Sequence, residues 1–395
     1  VQRDSLNHAV RASLVRLPPP HAAHYGVIPA APPETGVAIG PVRQKHDAAL
    51  TALGEAEAYA RTLHDNFLVS RVLTRQEAIS SSAIEGTQST LDELLTSEET
   101  QDAETTTATR QVRSYAAALE TFVRRAERAG PEIFSVDFVR ALHRRVMRDD
   151  DTYPDPPGQL RRVTVWIGGR DIAYSAFNPP PADRVLDCLS QTMDYMRAEG
   201  LQAQQQSLFT RMAVAHAHFE AVHPFRDGNG RVGRLLLPLM MAAEGRTPLY
   251  LSPYIEAEKA AYYEALKAAQ QRLDWTTMVG FLCDAVVGAV GELMTTRRAL
   301  ERLTEVWRAR RDFRSGSSSL RALELLPHFP IITVSRLADR LGVTFRAASI
   351  AIEQLEAVGV VRERTGFARN RVFVASEALT VLNRPFGAEP ALPRR

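Results

Sequence analysis

The sequence predicts a mostly α-helical protein with one short β-hairpin and a differently built C-terminal module. Three observations predict this. Apolar residues recur at helical spacing with few breakers from Pro41 to about Leu95, Arg113 to Arg128, Ser135 to Val146 and Ala182 to about Val306. One stretch, Val163, Val165 and Ile167 ahead of Gly168-Gly169, alternates as a strand entering a tight turn does. After the Ser-rich break Arg314–Ser319 the pattern changes to short helices, a turn at Gly342 and β-rich runs.

Taken in order, the first forty residues are rich in Pro, Ala and His and read as an extended arm that wraps the fold or trails loose. Gly86 breaks the first helical run and suits a C-cap, because it lacks the Cβ that penalises left-handed backbone. Residues 96–109 are acidic and Thr-rich, a loop or a polar helix start. Phe138, Leu142 and Val146 fall at i, i+4 and i+8 on one helix face. The last segment reads as helices over Leu320–Leu326, Val334–Leu341 and Thr344–Leu355, then strands from Gly359 and over Arg371–Val374. That order is a winged helix-turn-helix.

Composition narrows the function. At ~150 residues per domain, 395 residues make two or three domains. With 45% hydrophobic and 24% charged residues the chain has a folded, soluble composition. The longest strongly apolar run, Leu235–Ala243, is broken by Pro238 and falls short of the ~18 residues of a membrane span, so no membrane role is expected. Two cysteines, Cys188 and Cys283, exclude a disulfide scaffold and a cysteine-rich zinc fold. The N-terminal residues lack an apolar signal core, and a cytoplasmic location is expected. A net charge of +2 is too small for nucleic-acid binding by the whole surface; any such role needs a local patch.

The chemistry concentrates in His223-Pro-Phe-Arg-Asp227-Gly-Asn-Gly-Arg231-Val-Gly-Arg234. A Gly-rich loop feeding a helix N-terminus exposes backbone N–H groups at the positive dipole end, an anion site. Arg231 and Arg234, three apart, can both reach such an anion. Asp227 beside it is the place for Mg²⁺, and His223 is a candidate general base. A Ca²⁺ loop is disfavoured, because Arg231 holds the fifth position and no Glu closes the loop. A metal site of His216, His218 and His223 is disfavoured because helix residues two apart point away from each other.

The segment resembles the signature of the Fic family, with every fixed position matched, and the resemblance extends over about residues 20–300. It implies a Fic core at 111–312 after an N-terminal helical region at 1–110, and the winged helix read from the element order takes 317–378. It also implies transfer of AMP from Mg-ATP to a Ser, Thr or Tyr hydroxyl of a target protein, self-modification included, and a homodimer. By the same resemblance His223 takes the hydroxyl proton and Asp227 holds Mg²⁺. Gly228, Asn229, Gly230, Arg231, Val232, Gly233 and Arg234 bind ATP, and Phe225 anchors the loop. Gly230 stands where related kinases of the family carry Lys, which favours adenylylation over phosphorylation.

Ser81, Glu85 and Gly86 resemble the family's inhibitory motif, with Ser81 and Glu85 on one helix face. The resemblance pairs Glu85 with Arg234, where a carboxylate keeps the ATP γ-phosphate out. The run Val163, Thr164, Val165, Trp166, Ile167 resembles the flap that aligns a target, and Tyr263 is the candidate contact for adenosine. De-AMPylation, a nucleotide other than ATP, and a nucleotide-sensing DNA-binding regulator remain as rival readings. For the winged helix, DNA binding and protein docking are both open: Arg346 is the one basic residue inside the helix over Thr344–Leu355, with Glu353 and Glu356 beside it.

Overall fold

The computed structural model describes residues 3–62, 66–100, 105–199, 204–366 and 371–393. The N-terminal arm is ordered. Asn7 caps helix α1 (His8–Ala12), its side-chain oxygen accepting from the Val10 N–H at 2.8 Å. Strands β1 (Leu14–Arg16) and β2 (Tyr25–Val27) form an antiparallel hairpin. Leu6, Val10 and Val27 are buried against Phe177 and Ala221, so the arm wraps the core rather than trailing from it.

The regular structure that follows is helical: α2 (Arg43–Thr62), α3 (Asn66–Ile84), α4 (Leu91–Thr100), α5 (Thr107–Ala129), α6 (Val136–Val146), α7 (Val185–Arg197), α8 (Leu208–Val222), α9 (Asn229–Ala243), α10 (Ser252–Ala257), α11 (Lys259–Arg272) and α12 (Trp275–Ala309). Side-chain oxygens of Thr106, Ser135 and Ser207 cap α5, α6 and α8, supplying acceptors for N–H groups that a helix start leaves unpaired. The acidic stretch expected as a loop or helix start thus contains the end of α4 and the start of α5; residues 101–104 of it lie outside the described residues.

Helix α9 is buried from Arg231 to Ala243 and packs against α5, α6 and α8. A helix apolar all round belongs in a core. Fully burying one of its leucines contributes ~1.5–3 kcal/mol, so Leu235→Ala costs ~2–5 kcal/mol. Helix α12 corrects the apolar-run reading: by length and composition it could span a membrane, yet half of its most apolar window is buried inside this fold. Its Val279, Leu282 and Val286 belong to the main core.

The expected flap strand does not form. Ile167 makes one isolated bridge to Phe177, and Val163, Thr164, Val165 and Trp166 have no ladder partner among the described residues. Two causes are local. Gly168 and Gly169 both take positive φ, and Asp171 caps a 3₁₀ turn at Ile172–Tyr174 that consumes the returning chain. The third reaches across the segment: the Arg161 guanidinium takes the Val163 and Pro180 carbonyls, at 3.1 and 2.7 Å.

The C-terminal module comprises α13 (Ser318–Leu325), β3 (Ile331–Thr333), α14 (Val334–Leu341), α15 (Phe345–Ala357), β4 (Arg362–Glu363), β5 (Val372–Val374) and α16 (Ser376–Leu382). Its antiparallel sheet runs β3-β5-β4. Strand β3 is an addition to the sequence reading, too short to show a period. The strand expected from Gly359 starts later, because the Val360 N–H closes the end of α15 on the Leu355 carbonyl and both Val360 and Val361 are buried. The module does not stand apart: Val72, Leu91, Leu95, Leu303 and Trp307 share one core with Phe329, Ile331 and Leu337.

Candidate active site

Helix α8 ends in a left-handed turn at His223, φ 48°, whose N–H bonds the Phe219 carbonyl at 3.0 Å. Few non-glycine residues adopt this conformation, and it needs support. Buried Arg161 supplies it: its Nε donates to the His223 carbonyl at 2.7 Å, its Nη2 to the Val222 carbonyl at 3.3 Å, and its N–H to the Pro224 carbonyl at 2.9 Å.

The loop after His223 is closed by its own residues. Phe225 is fully buried and stacks on His143, centroids 3.8 Å apart, as the anchor role requires. Asn229 accepts from the Phe225 N–H and donates to the Phe225 carbonyl, both at 2.8 Å, so it staples the loop rather than offering its amide to a ligand. Gly228 is left-handed at φ 79°, and a Cβ there would meet Met147 Sδ at 2.6 Å. His143 accepts from the Gly158 N–H at Nδ1 and pairs through Nε2 with the Asp227 carbonyl, and burial lowers its pKa to about 4.

The N-terminal turn of α9 follows, and a carboxylate already sits on it. A Cβ on Gly230 would meet Glu85 Oε1 at 2.1 Å. Glu85 Oε1 accepts from Arg234 Nη2 at 2.8 Å, while Arg234 also donates to the Ser81 hydroxyl at 3.0 Å and the Ser81 carbonyl at 2.8 Å. The guanidinium is 1% exposed, so the pair is shielded on its side. Burial pushes Glu85 up, but Arg234 outweighs it and holds the carboxyl below its usual range. Gly86, φ 90°, ends the segment, and Lys259 Nζ caps α3 through the Ile84 carbonyl at 2.7 Å.

The other predicted residues divide. Arg231 turns away from Arg234, toward Asp227 at 3.5 Å and Asp150 at 3.8 Å, so in this state the two guanidinium forks serve different partners. Asp227 keeps a side chain 64% exposed at the cleft mouth. Val232 faces the core and its N–H bonds the Gly228 carbonyl; Gly233 leaves room for Glu220, whose Oε1 lies 2.2 Å from where a Cβ would stand. Neither offers a side-chain polar group to the cleft. Tyr263 is 40% exposed, whereas Tyr262 is buried on His216 Nε2 at 2.8 Å, which separates the two tyrosines as the sequence alone could not.

His223 is held neutral. Burial, with Arg161 adding to it, lowers its pKa to about 4, against the opposing pull of Glu85 and the Glu220 carbonyl. Neutral imidazole is the form that accepts a proton. Glu220, missed in the sequence, is a buried carboxyl with Oε2 4.0 Å from His223 Nδ1. Burial raises it to about 8 with Glu85 adding and Arg234 opposing, so two neighbouring carboxyls are pushed apart, one neutral and one ionised. A signal existed: Glu220 and Arg211 are the only charged residues in α8. Arg161 and His143, also missed, had no local signal. His216 bonds the Gly233 carbonyl and His218 the Thr192 hydroxyl, so they do not converge with His223 on a metal. Among the described residues no group of three or more His, Cys, Asp and Glu could hold a metal ion.

Comparison with known proteins gives one family. Residues 133–241 match the Fic/DOC family and residues 43–123 match the Fic/DOC family N-terminal region. Protein adenylyltransferase fic-1 of Caenorhabditis briggsae is 36% identical over 135 residues, 34% of this chain and 24% of that protein. Protein adenylyltransferase Fic of Drosophila grimshawi is 33% identical over 146 residues, 36% of this chain and 26% of that one. The chain thus spans about a quarter of the length of the curated relatives it matches. The crystal structure of a Fic family protein from Desulfovibrio desulfuricans G20 superposes with a TM-score of 0.52 at 19% identity, covering 86% of this chain and 98% of that one. Fic-1 from Caenorhabditis elegans gives 0.50 at 22% identity, covering 65% and 72%. Both structures share the fold. The region similar to the Fic/DOC family, 133–241, contains the loop from His223 to Arg234, and the region similar to its N-terminal part, 43–123, contains Ser81 and Glu85.

Proposed function

We propose that the chain is a protein adenylyltransferase that moves AMP from ATP to a hydroxyl of a protein, restrained by Glu85. The observation that carries the reading is the Glu85 carboxylate on the first turn of α9, bonded to Arg234 and resting over Gly230. An anion seat at a helix N-terminus with a buried arginine suits a phosphate, and here an internal carboxylate fills it. The names of the relatives point to the same activity.

In this reading the target oxygen attacks the α-phosphorus, its proton passes to neutral His223, and pyrophosphate leaves. Arg234, freed from Glu85, and Arg231 offset the phosphate charge. Asp227, an open carboxylate beside that seat, fits Mg²⁺, which binds through one or two carboxylates plus phosphates; the ion supplies further charge neutralisation. Tyr263 offers its half-exposed ring to the base. Residues 163–166, without a ladder partner among the described residues, offer an edge on which a target segment adds as a strand.

The test is label transfer by Glu85→Gly, from ATP carrying ³²P at the α- or the γ-position. Protein-bound label from α-ATP alone supports adenylylation. Label from γ-ATP alone would make the chain a kinase and overturn the proposal.

A further inference from the structure

Helix α3 carries the brake at its C-terminal end, and its other half is gripped by the C-terminal module. Arg71 pairs with Glu98 at 2.6 Å and Glu99 at 3.9 Å, and Arg75 with Glu98 at 2.9 Å, so α3 is bound to the acidic helix α4. Helix α4 is bound in turn to the module: Arg340 reaches Glu99 at 3.4 Å, Arg364 pairs with Asp92, and α4 packs on β3. The Phe329 ring lies against two guanidinium groups, Arg71 at 4.7 Å and Arg340 at 3.6 Å from its centroid. Gln76 donates directly to the Leu382 carbonyl at 2.7 Å, and Val72 lies in the module's core.

Between the two ends sits a pivot. Glu77, buried in mid-helix, accepts from the Ser252 N–H at 2.8 Å and the Ser252 hydroxyl at 2.6 Å. Arg71 lies thirteen residues before Ile84, the last residue of α3, ~20 Å at 1.5 Å per residue, and Glu85 follows directly. A tilt of the N-terminal half about Glu77 therefore moves the carboxylate off the α9 turn. The Arg234 contact needs about 3 Å geometry, so a shift of an ångström or two is enough to break it.

We propose that the C-terminal module is the second half of the brake: through α4 it holds α3 in the pose that seats Glu85 on Arg234, and loosening that grip opens the site. The inhibitory half of this proposal rests on the function proposed above; the mechanical half does not.

Two variants cut the grip far from the cleft. Arg340→Ala removes the nearer partner of buried Glu99 and the closer of the two guanidinium groups on Phe329. Asp92→Asn is the gentler cut at the other end of α4 and keeps the fold if the first variant loses it. Backbone deuterium exchange at residues 78–86, measured on the full chain without nucleotide, is expected to speed up about fivefold or more in a properly folded variant. With Mg-ATP, the AMP adduct seen by intact mass is expected to form faster by a similar factor in the parent background and to change less than twofold in the Glu85→Gly background. Unchanged exchange at 78–86 in both variants, or equal acceleration with and without Glu85, would overturn the proposal. Faster exchange with no adduct even from Glu85→Gly would keep the mechanical coupling and remove the transfer reading instead.

Discussion

The loop from Phe225 to Asn229 and the flap from Arg161 to Pro180 lie side by side, and they are built by opposite means. The loop satisfies its own backbone: Asn229 returns both hydrogen bonds to Phe225, and Gly228 supplies the left-handed turn. The flap does not. Its carbonyls and that of His223 converge on one buried guanidinium, Arg161, and its strand stops at a single bridge. A segment that closes on itself keeps its shape whatever surrounds it. A segment pinned by one side chain at its start is shaped by that side chain, and stays open to a new partner along its free edge.

Variants can break this contrast. The largest effect is expected from Arg161→Met, which strands several buried carbonyls at once. It should lower unfolding free energy by about 3 kcal/mol or more and raise deuterium exchange across 163–177 and at His223. Asn229→Ala comes next: loss of two bonds should cost about 2 kcal/mol, with faster exchange confined to 225–229. If Asn229→Ala also loosened the flap, the two segments would be one unit and the contrast would fail.

A smaller effect separates the buried histidines from Glu220 by pH. His143, His218 and His223 are lowered to about 4 and His216 to about 3, chiefly by burial. Folded-state values below the unfolded one mean that their contribution is present above about pH 6.5 and is lost as pH falls toward 4. The melting temperature should therefore drop between pH 7 and pH 5. Glu220 runs the other way: raised to about 8, its contribution is present at acid pH and lost as pH rises through about 8. Glu220→Gln should melt a few degrees above the parent at pH 8.5 and with it at pH 5, the smallest of these changes.

The same contrast explains what could be read in the sequence. The motif loop and the long helices were legible because each depends on residues within a few turns of one another, whereas the pairing of Ser81 and Glu85 with Arg234, about 150 residues away, was expected only from the family resemblance. The flap was misread as a strand because Val163, Val165 and Ile167 alternate correctly, while the cause of the failure sits in Arg161 and Asp171. Arg231 and Arg234 share a helix face, yet Asp150 and Glu85 pull them apart, which helix spacing cannot express. The sharing of one core by Val72, Trp307 and Phe329 was equally hidden, since it joins segments more than two hundred residues apart.

The central claim is that Glu85 occupies the seat of a phosphate and that His223 is the base behind it. Intact-mass spectrometry after incubation with Mg-ATP tests both, on the parent chain, Glu85→Gly and Glu85→Gly/His223→Ala. The account predicts an AMP adduct that is weak in the parent, at least tenfold stronger in the single variant, and reduced ~10²-fold or more in the double one. Equal adduct in parent and Glu85→Gly, or an adduct that survives loss of His223, would contradict it.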